Sequence, residues 1–569
     1  MTGMKKTLFG LMAVAAAIGA QGASEIAVTK PYVRWLWGGF GWQHCEATLA
    51  SHMSDEFRDE RAVKSFLELR PTFARVYTGF AGQSKEALDN FADYYDRTFR
   101  KVGTTLYVVP SCMPVQPDPA TRDVDEFAEG VAKSLDYLVH VRNCSKIRYF
   151  CLCNEMTAGT HYAWFDYAKK LDLFKRYYQA FSDAFRRHGL DIGLVATDRS
   201  TSRPDPKDDA NKCTAWALAN MEDLIETTCT HLYVYNRKVD DLGLWGEYNT
   251  YFTNLVQMSI QKHKRYFLGE FGFAPKKGAV GTMLDDLSVN MRAPELANEA
   301  VLCMCEIGLA CVNAGAYGSL MWSFCDYPDP LIAEDGDTPE EHVKYQATRC
   351  VYRPDLKYNK WGVFRWGDVE GDYRAYPGYY ALGWMAKLFR KGATVLPAKT
   401  DDAALRVGAV MNRDRSVSFA VINRAAEPKE IRLRSEAVIA KPLRTYVYEA
   451  DRPPFNDFND LQPCAGLVAA KDGVFAATVP AKAIVFYTTD YVDRTPSPVD
   501  GVAVRDGVLS WKAVADADHA YYRVFRDGRQ IASTVATSYR VKDTDAAYAV
   551  VSVDRWGNAQ RFQIHDLSF

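Results

Sequence analysis

After its first two dozen positions the sequence has no apolar run of about 18 residues, so no membrane-spanning helix is expected. Charge of either sign is not in excess: 69 Lys and Arg stand against 71 Asp and Glu, a formal net charge of −2. Without a basic field there is nothing to hold nucleic acid, and the expected partner is neutral or small. Among 13 cysteines and 10 histidines no pair has the CxxC or HxxxH spacing of a metal site, so no metal or other cofactor is expected. The glycine-rich segment Gly38-Gly39-Phe40-Gly41-Trp42 lacks the spacing of a phosphate loop ahead of a helix, which excludes a nucleotide site there. Low-complexity tracts are missing too, and with 48% hydrophobic and 25% charged residues the composition is that of a globular chain.

The first residues are distinctive. Lys5 and Lys6 precede an apolar stretch over 8–18 and the small-x-small pattern Ala20-Gln21-Gly22, which predicts a cleaved export signal over residues 1–22. No cysteine lies near the cut to carry a lipid, so the mature chain is expected outside the cytoplasm: periplasmic, extracellular or at the cell surface. The odd cysteine count leaves at least one without an intrachain partner. Cys151 and Cys153, and Cys303, Cys305 and Cys311, fall in apolar runs where cysteine serves as a small hydrophobe, so most are expected unpaired.

With 569 residues the chain is long enough for several domains. Short apolar strands over 33–38, 73–78, 105–109, 147–153, 192–196, 230–235, 266–270 and 318–324 alternate with helical patterns. Eight such units predict an α/β fold, a (β/α)8 TIM barrel, over residues 27–391. From 392 to 491 β-runs with turn signals predict a β-sandwich. A Pro-containing linker around Thr495-Pro496-Ser497-Pro498 then leads to a small β-sandwich over 496–569 that resembles a fibronectin type III module and is expected to be separable.

Reactive groups of such a barrel stand at the C-terminal ends of its strands. The fourth apolar run ends in Asn154-Glu155, and the seventh ends in Gly269-Glu270-Phe271-Gly272. Strands four and seven face each other across the barrel mouth, so the two carboxyl groups can converge on one bond. Glycoside hydrolysis uses that arrangement, with one carboxyl protonating the leaving oxygen and one attacking the anomeric carbon or activating water. Aromatic residues at 13% supply flat faces of the kind that pack on sugar rings. The sixth run ends His231-Leu232-Tyr233, the second carries Arg75, and the eighth ends in Trp322.

These motifs resemble those of the retaining glycoside hydrolases of clan A, with families 5, 30 and 39 as the nearest relatives, over the barrel and the following sandwich. The resemblance implies Glu155 as general acid/base and Glu270 as nucleophile. It further implies substrate-site roles for Asn154 and His231, a hydroxyl on the nucleophile from Tyr233, a cation from Arg75 that keeps the nucleophile ionised, and an indole floor from Trp322. Gly38-Gly39-Phe40-Gly41 resembles the turn by which families 30 and 39 bring backbone close to ligand. His161 and Trp164 follow strand four and could line a further subsite. The expected function is hydrolysis of O-glycosidic bonds of an oligo- or polysaccharide by double displacement. The alternative is a non-catalytic carbohydrate-binding or adhesive protein on the same scaffold; retention of two converging acids weighs against it.

Overall fold

The computed structural model describes residues 22–31, 36–109, 122–155, 170–238, 240–275, 294–328, 358–359 and 362–560. The export signal expected over 1–22 lies almost wholly outside them, as do His161 and Trp164.

Eight parallel strands close into a barrel: Phe40–Gln43, Phe73–Val76, Thr105–Val108, Ile147–Phe150, Gly193–Thr201, Thr227–Arg237, Arg265–Pro275 and Gly318–Met321. The last pairs with both the first and the seventh, which removes every sheet edge. Helices fill the crossovers, and their ends follow local chemistry. Lys85–Arg97 starts where the Ser84 hydroxyl accepts from the amide of Ala87, and it buries Leu88, Phe91, Ala92 and Tyr95 on one face. Val124–Asp136 starts at Asp123 and Asp209–Asn220 at Asp208, each capping amides of its own first turn. Inside the barrel Phe267 meets Phe73, Tyr149 and Tyr317 at centroid distances of 5.0–5.2 Å, an aromatic floor below the polar residues of the mouth.

The first barrel strand differs from expectation. The apolar segment 33–42 is split at Gly38-Gly39: Phe40–Gln43 enters the barrel, while Leu36–Trp37 pairs antiparallel with Ala393–Leu396 in the sandwich. Gly39 has φ +131°, and a Cβ there would lie 2.3 Å from Thr72. A Cβ on Gly41 would lie 1.9 Å from the Phe73 carbonyl oxygen. These glycines therefore admit strand two and its approach loop.

The sandwich and barrel interleave. One sheet, in the order Ala398–Thr400, Ser24–Val28, Lys429–Ser435, Val474–Val479, includes a strand from ahead of the barrel; Ile26 and Val28 point into the sandwich core with Leu433 and Phe475. The other sheet has seven strands and ends on Leu36–Trp37. Residues 27–391 and 392–491 are thus not two consecutive blocks. The C-terminal module has two three-stranded sheets around Leu509, Trp511, Tyr522 and Val524. It is docked, contrary to the linker reading. Tyr521 donates to Glu68 at 3.3 Å and Arg523 to Asp460 at 2.9 Å, while buried Lys64 bridges Glu68 and Asp460 at 2.7 and 2.8 Å and sits over the Tyr521 ring. A short linker does not report what the domains on either side of it bury. Cys151, Cys153, Cys303, Cys305 and Cys311 are all buried, in keeping with their apolar runs.

Candidate active site

Arg75 in the second barrel strand organises the mouth. It is fully buried, and its guanidinium spreads over five partners: Nη1 donates to Glu270 Oε1 at 2.5 Å, Gln43 Oε1 at 2.8 Å and the Tyr77 hydroxyl at 3.2 Å, and Nη2 to Asn154 Oδ1 at 2.7 Å and Asp198 Oδ2 at 2.6 Å. Partners on strands one, five and seven and just past strands two and four are thereby tied to one rigid fork. Glu270 takes its second hydrogen bond from Tyr233, whose hydroxyl donates to Oε2 at 2.6 Å.

His231 stands between the carboxylates. Its Nδ1 is 3.0 Å from Glu155 Oε1 and 3.5 Å from Glu270 Oε2, and its Nε2 is 3.1 Å from Asp198 Oδ1. A carboxyl oxygen of Glu155 and one of Glu270 lie within 4.8 Å of each other. Their settings differ: the Glu155 side chain is 14% exposed and Glu270 only 4%. Glu155 adopts φ +47°, a left-handed conformation uncommon outside glycine, at the exit of strand four.

The electrostatics follow from this geometry. Burial alone would neutralise His231, but Asp198 and Glu270 hold it protonated, well above the usual imidazole range. Burial likewise opposes the charge of Asp198, and Arg75 and His231 overcome it, keeping that carboxyl well below the usual carboxylate range. Burial pushes Glu270 up; His231 and Arg75 pull against it, Glu155 adds to the rise, and Tyr233 opposes it. Two buried cations, Arg75 and His231, thus balance two buried carboxylates, Asp198 and Glu270.

Arg75, His231, Tyr233 and Glu270 lie within their strands, Asn154 and Glu155 follow strand four and Trp322 follows strand eight; Arg75, Asn154, Glu155, His231, Tyr233 and Glu270 form one connected cluster. Trp322 is half-buried beside them, its ring 6.1 Å from that of Tyr77. Asp198 was not foreseen, although the fifth apolar run ends in Thr197-Asp198 and asking of strand five what was asked of strands four and seven finds it. Around Asp198, Tyr107 donates at 2.7 Å and the Cys229 thiol lies 3.0 Å away. The Gly269 of the seventh run has a local reason: a Cβ there would lie 2.4 Å from the Cys229 sulfur and 3.1 Å from His231 Nε2. Only glycine before Glu270 lets the Asp198–His231 pair lie behind it.

Glu155, His231 and Glu270 are also spaced as metal ligands could be. The donor set does not fit that use, because the imidazole is held as a cation between carboxylates and Arg75 already occupies Glu270 Oε1.

No family model matches the sequence, and no curated protein matches it. Among solved structures the chain is similar to the catalytic domain of GH30 xylanase C from Talaromyces cellulolyticus, at 14% identity and a TM-score of 0.55 over 82% of this chain and 99% of that one. It is similar as well to a bacterial orthologue of human α-L-iduronidase, at 14% identity and 0.56 over 95% and 98%. A third is AbfB, a family 51 α-L-arabinofuranosidase from Bifidobacterium longum, at 12% identity and 0.54 over 81% and 99%. The fold shared with them is a closed (β/α)8 barrel followed by β-sheets. At these identities the likeness is one of fold, and the chemistry has to be argued from the side chains.

Proposed function

We propose that this chain is an exported glycosidase that hydrolyses O-glycosidic bonds of an oligo- or polysaccharide with retention of configuration, and that its C-terminal module is of the fibronectin type III kind. The observation that carries the reading is the pairing of Glu155 and Glu270 from facing strands, with carboxyl oxygens within 4.8 Å, one partly open and one buried on a fixed cation. Retaining enzymes hold their two carboxyl groups about 5–5.5 Å apart, whereas inverting ones leave about 6.5–9.5 Å for a water molecule.

Glu270 is the nucleophile. Arg75 and Tyr233 fix one oxygen each, so the carboxylate has a single orientation, and no rotamer search precedes attack on the anomeric carbon. Glu155 protonates the leaving oxygen as the C–O bond breaks, and a glycosyl ester forms on Glu270. Glu155 then takes a proton from incoming water, which displaces Glu270 and releases the sugar. The His231 cation, 3.0 Å from Glu155 and 3.5 Å from Glu270, supports the negative charge that Glu155 gains in the first step and the one that Glu270 regains in the second.

The test is a panel of aryl glycosides and polysaccharides that includes xylosides, arabinofuranosides and iduronides, the sugars named for the three neighbours. Turnover by the wild-type chain, lost in Glu270→Ala and restored by azide as a glycosyl azide of inverted configuration, supports the assignment. Binding of a glycan without turnover of anything on the panel favours a carbohydrate-binding protein instead.

A further inference from the structure

At the opposite end of the barrel from Glu155 and Glu270, barrel, sandwich and C-terminal module meet around a cavity of about 210 Å³. Arg70, just ahead of strand two, enters it from the barrel; Lys387 enters from the helix Pro377–Leu388, and Arg555 from the module. Trp384, Tyr446 and Trp556 form aromatic walls, with the Trp384 and Tyr446 rings stacked at 3.6 Å.

The charges there do not balance. The cavity's carboxylate, Asp490, is already held by Arg390 Nε at 2.9 Å. Among the described residues Arg70, Lys387 and Arg555 have no carboxylate at ion-pair distance. Lys387 is only 9% exposed, and burial pushes its ammonium down to about 8. Arg70 is half-buried, faces the like charges of Arg555 and Arg390, and holds a left-handed φ of +53°. Holding the buried Lys387 ammonium without a counter-charge, beside two half-buried guanidinium groups, costs free energy that a bound anion would offset. Among the described residues the indole N–H of Trp384 has no acceptor either.

We propose that this junction is a binding site for a small oxyanion, a carboxylate, sulfate or phosphate group, free or carried on a single sugar ring, and that the bound anion fastens the C-terminal module to the barrel. Arg70, Lys387 and Arg555 come from different parts of the chain and line one cavity, a set of forked and point cations suited to oxyanion recognition. The volume is below the roughly 300–1,000 Å³ of drug-sized pockets, which restricts the ligand to one group or one ring. The stacked Trp384–Tyr446 wall suits the ring of an acidic sugar. This inference is independent of the glycosidase reading.

The test uses the full chain. Thermal unfolding and calorimetric titration are followed with inorganic sulfate, inorganic phosphate, D-glucuronate and, as a neutral control, methyl glucuronate, with ionic strength held constant by sodium chloride. A saturable rise in Tm with an anion, absent with the neutral ester, supports the site. Tighter binding of glucuronate than of sulfate or phosphate identifies a sugar-borne group; the reverse order identifies a free ion. Arg555→Ala should weaken binding by about tenfold or more, as loss of a charge-assisted contact does. Lys387→Met, which removes an unpaired charge and should fold well, must abolish the response. No saturable response in the wild type, or an equal response in both variants, overturns the proposal.

Discussion

Replacing Asp198 by Asn keeps the shape of the side chain and removes its charge, which isolates what that charge does. Asp198 is fully buried, with Oδ2 2.6 Å from Arg75 and Oδ1 3.1 Å from His231. In the variant two buried cations face Glu270 alone. Breaking a buried ion pair by removing one partner typically costs about 3–5 kcal/mol, so a loss of that order is expected in urea unfolding near neutral pH. The pH dependence separates this from simple misfit. His231 is protonated in the folded wild type well above its unfolded value of 6.5. Its contribution is therefore fully present below pH 6.5 and declines as pH rises toward the folded value, because the native state then binds more protons than the unfolded one. Asp198→Asn lowers the folded value, so the difference in stability between wild type and variant should shrink as pH rises. A variant as stable as wild type, with the same dependence of stability on pH, refutes the view that Asp198 holds His231 as a cation.

Tyr233→Phe removes a hydrogen bond to a charged carboxylate; contacts of that kind are worth about 1.5–3 kcal/mol, so kcat should fall about 10- to 100-fold with the fold intact by circular dichroism. Glu155→Ala should lose about 10²–10⁴-fold on substrates with poor leaving groups and much less on activated aryl glycosides, read as a steepened dependence of rate on leaving-group pKa. In anion-free buffer Lys387→Met should be more stable than wild type by on the order of 1–3 kcal/mol at neutral pH, and the advantage should disappear as pH rises from about 8 through 10.5, where the wild-type lysine sheds its charge in both states. Truncation before Thr495 uncovers Lys64, Glu68 and Asp460, so Tm should drop although no proposed catalytic group is removed; an unchanged Tm contradicts the docking described for Tyr521 and Arg523.

Arg75, Asn154, Glu155, His231, Tyr233 and Glu270 were legible because a barrel strand is an apolar run and each of these polar residues interrupts or ends one. Asp198 satisfies the same rule and was passed over, since a Thr-Asp step after an apolar run also reads as an ordinary turn. The first strand was misplaced for a different reason. The apolar segment around Trp37 and Trp42 is continuous in hydrophobicity, and the break at Gly38-Gly39 is set by the tertiary crowding of Thr72 and Tyr317, which no local pattern reveals. Long-range pairing explains the remaining differences. Ser24–Val28 joins Lys429–Ser435 across some four hundred residues, and Lys64 meets Asp460 and Tyr521 across domains. Composition and spacing carry no record of such partners.

The stereochemistry of the first product tests the central claim most directly. Proton NMR of a fresh digest of an aryl glycoside that the wild-type chain cleaves, recorded before mutarotation, reports the anomer released. Two displacements through Glu270 predict the same anomeric configuration as the substrate. Release of the opposite anomer contradicts the assignment of Glu270 as nucleophile and of Glu155 and Glu270 as a retaining pair.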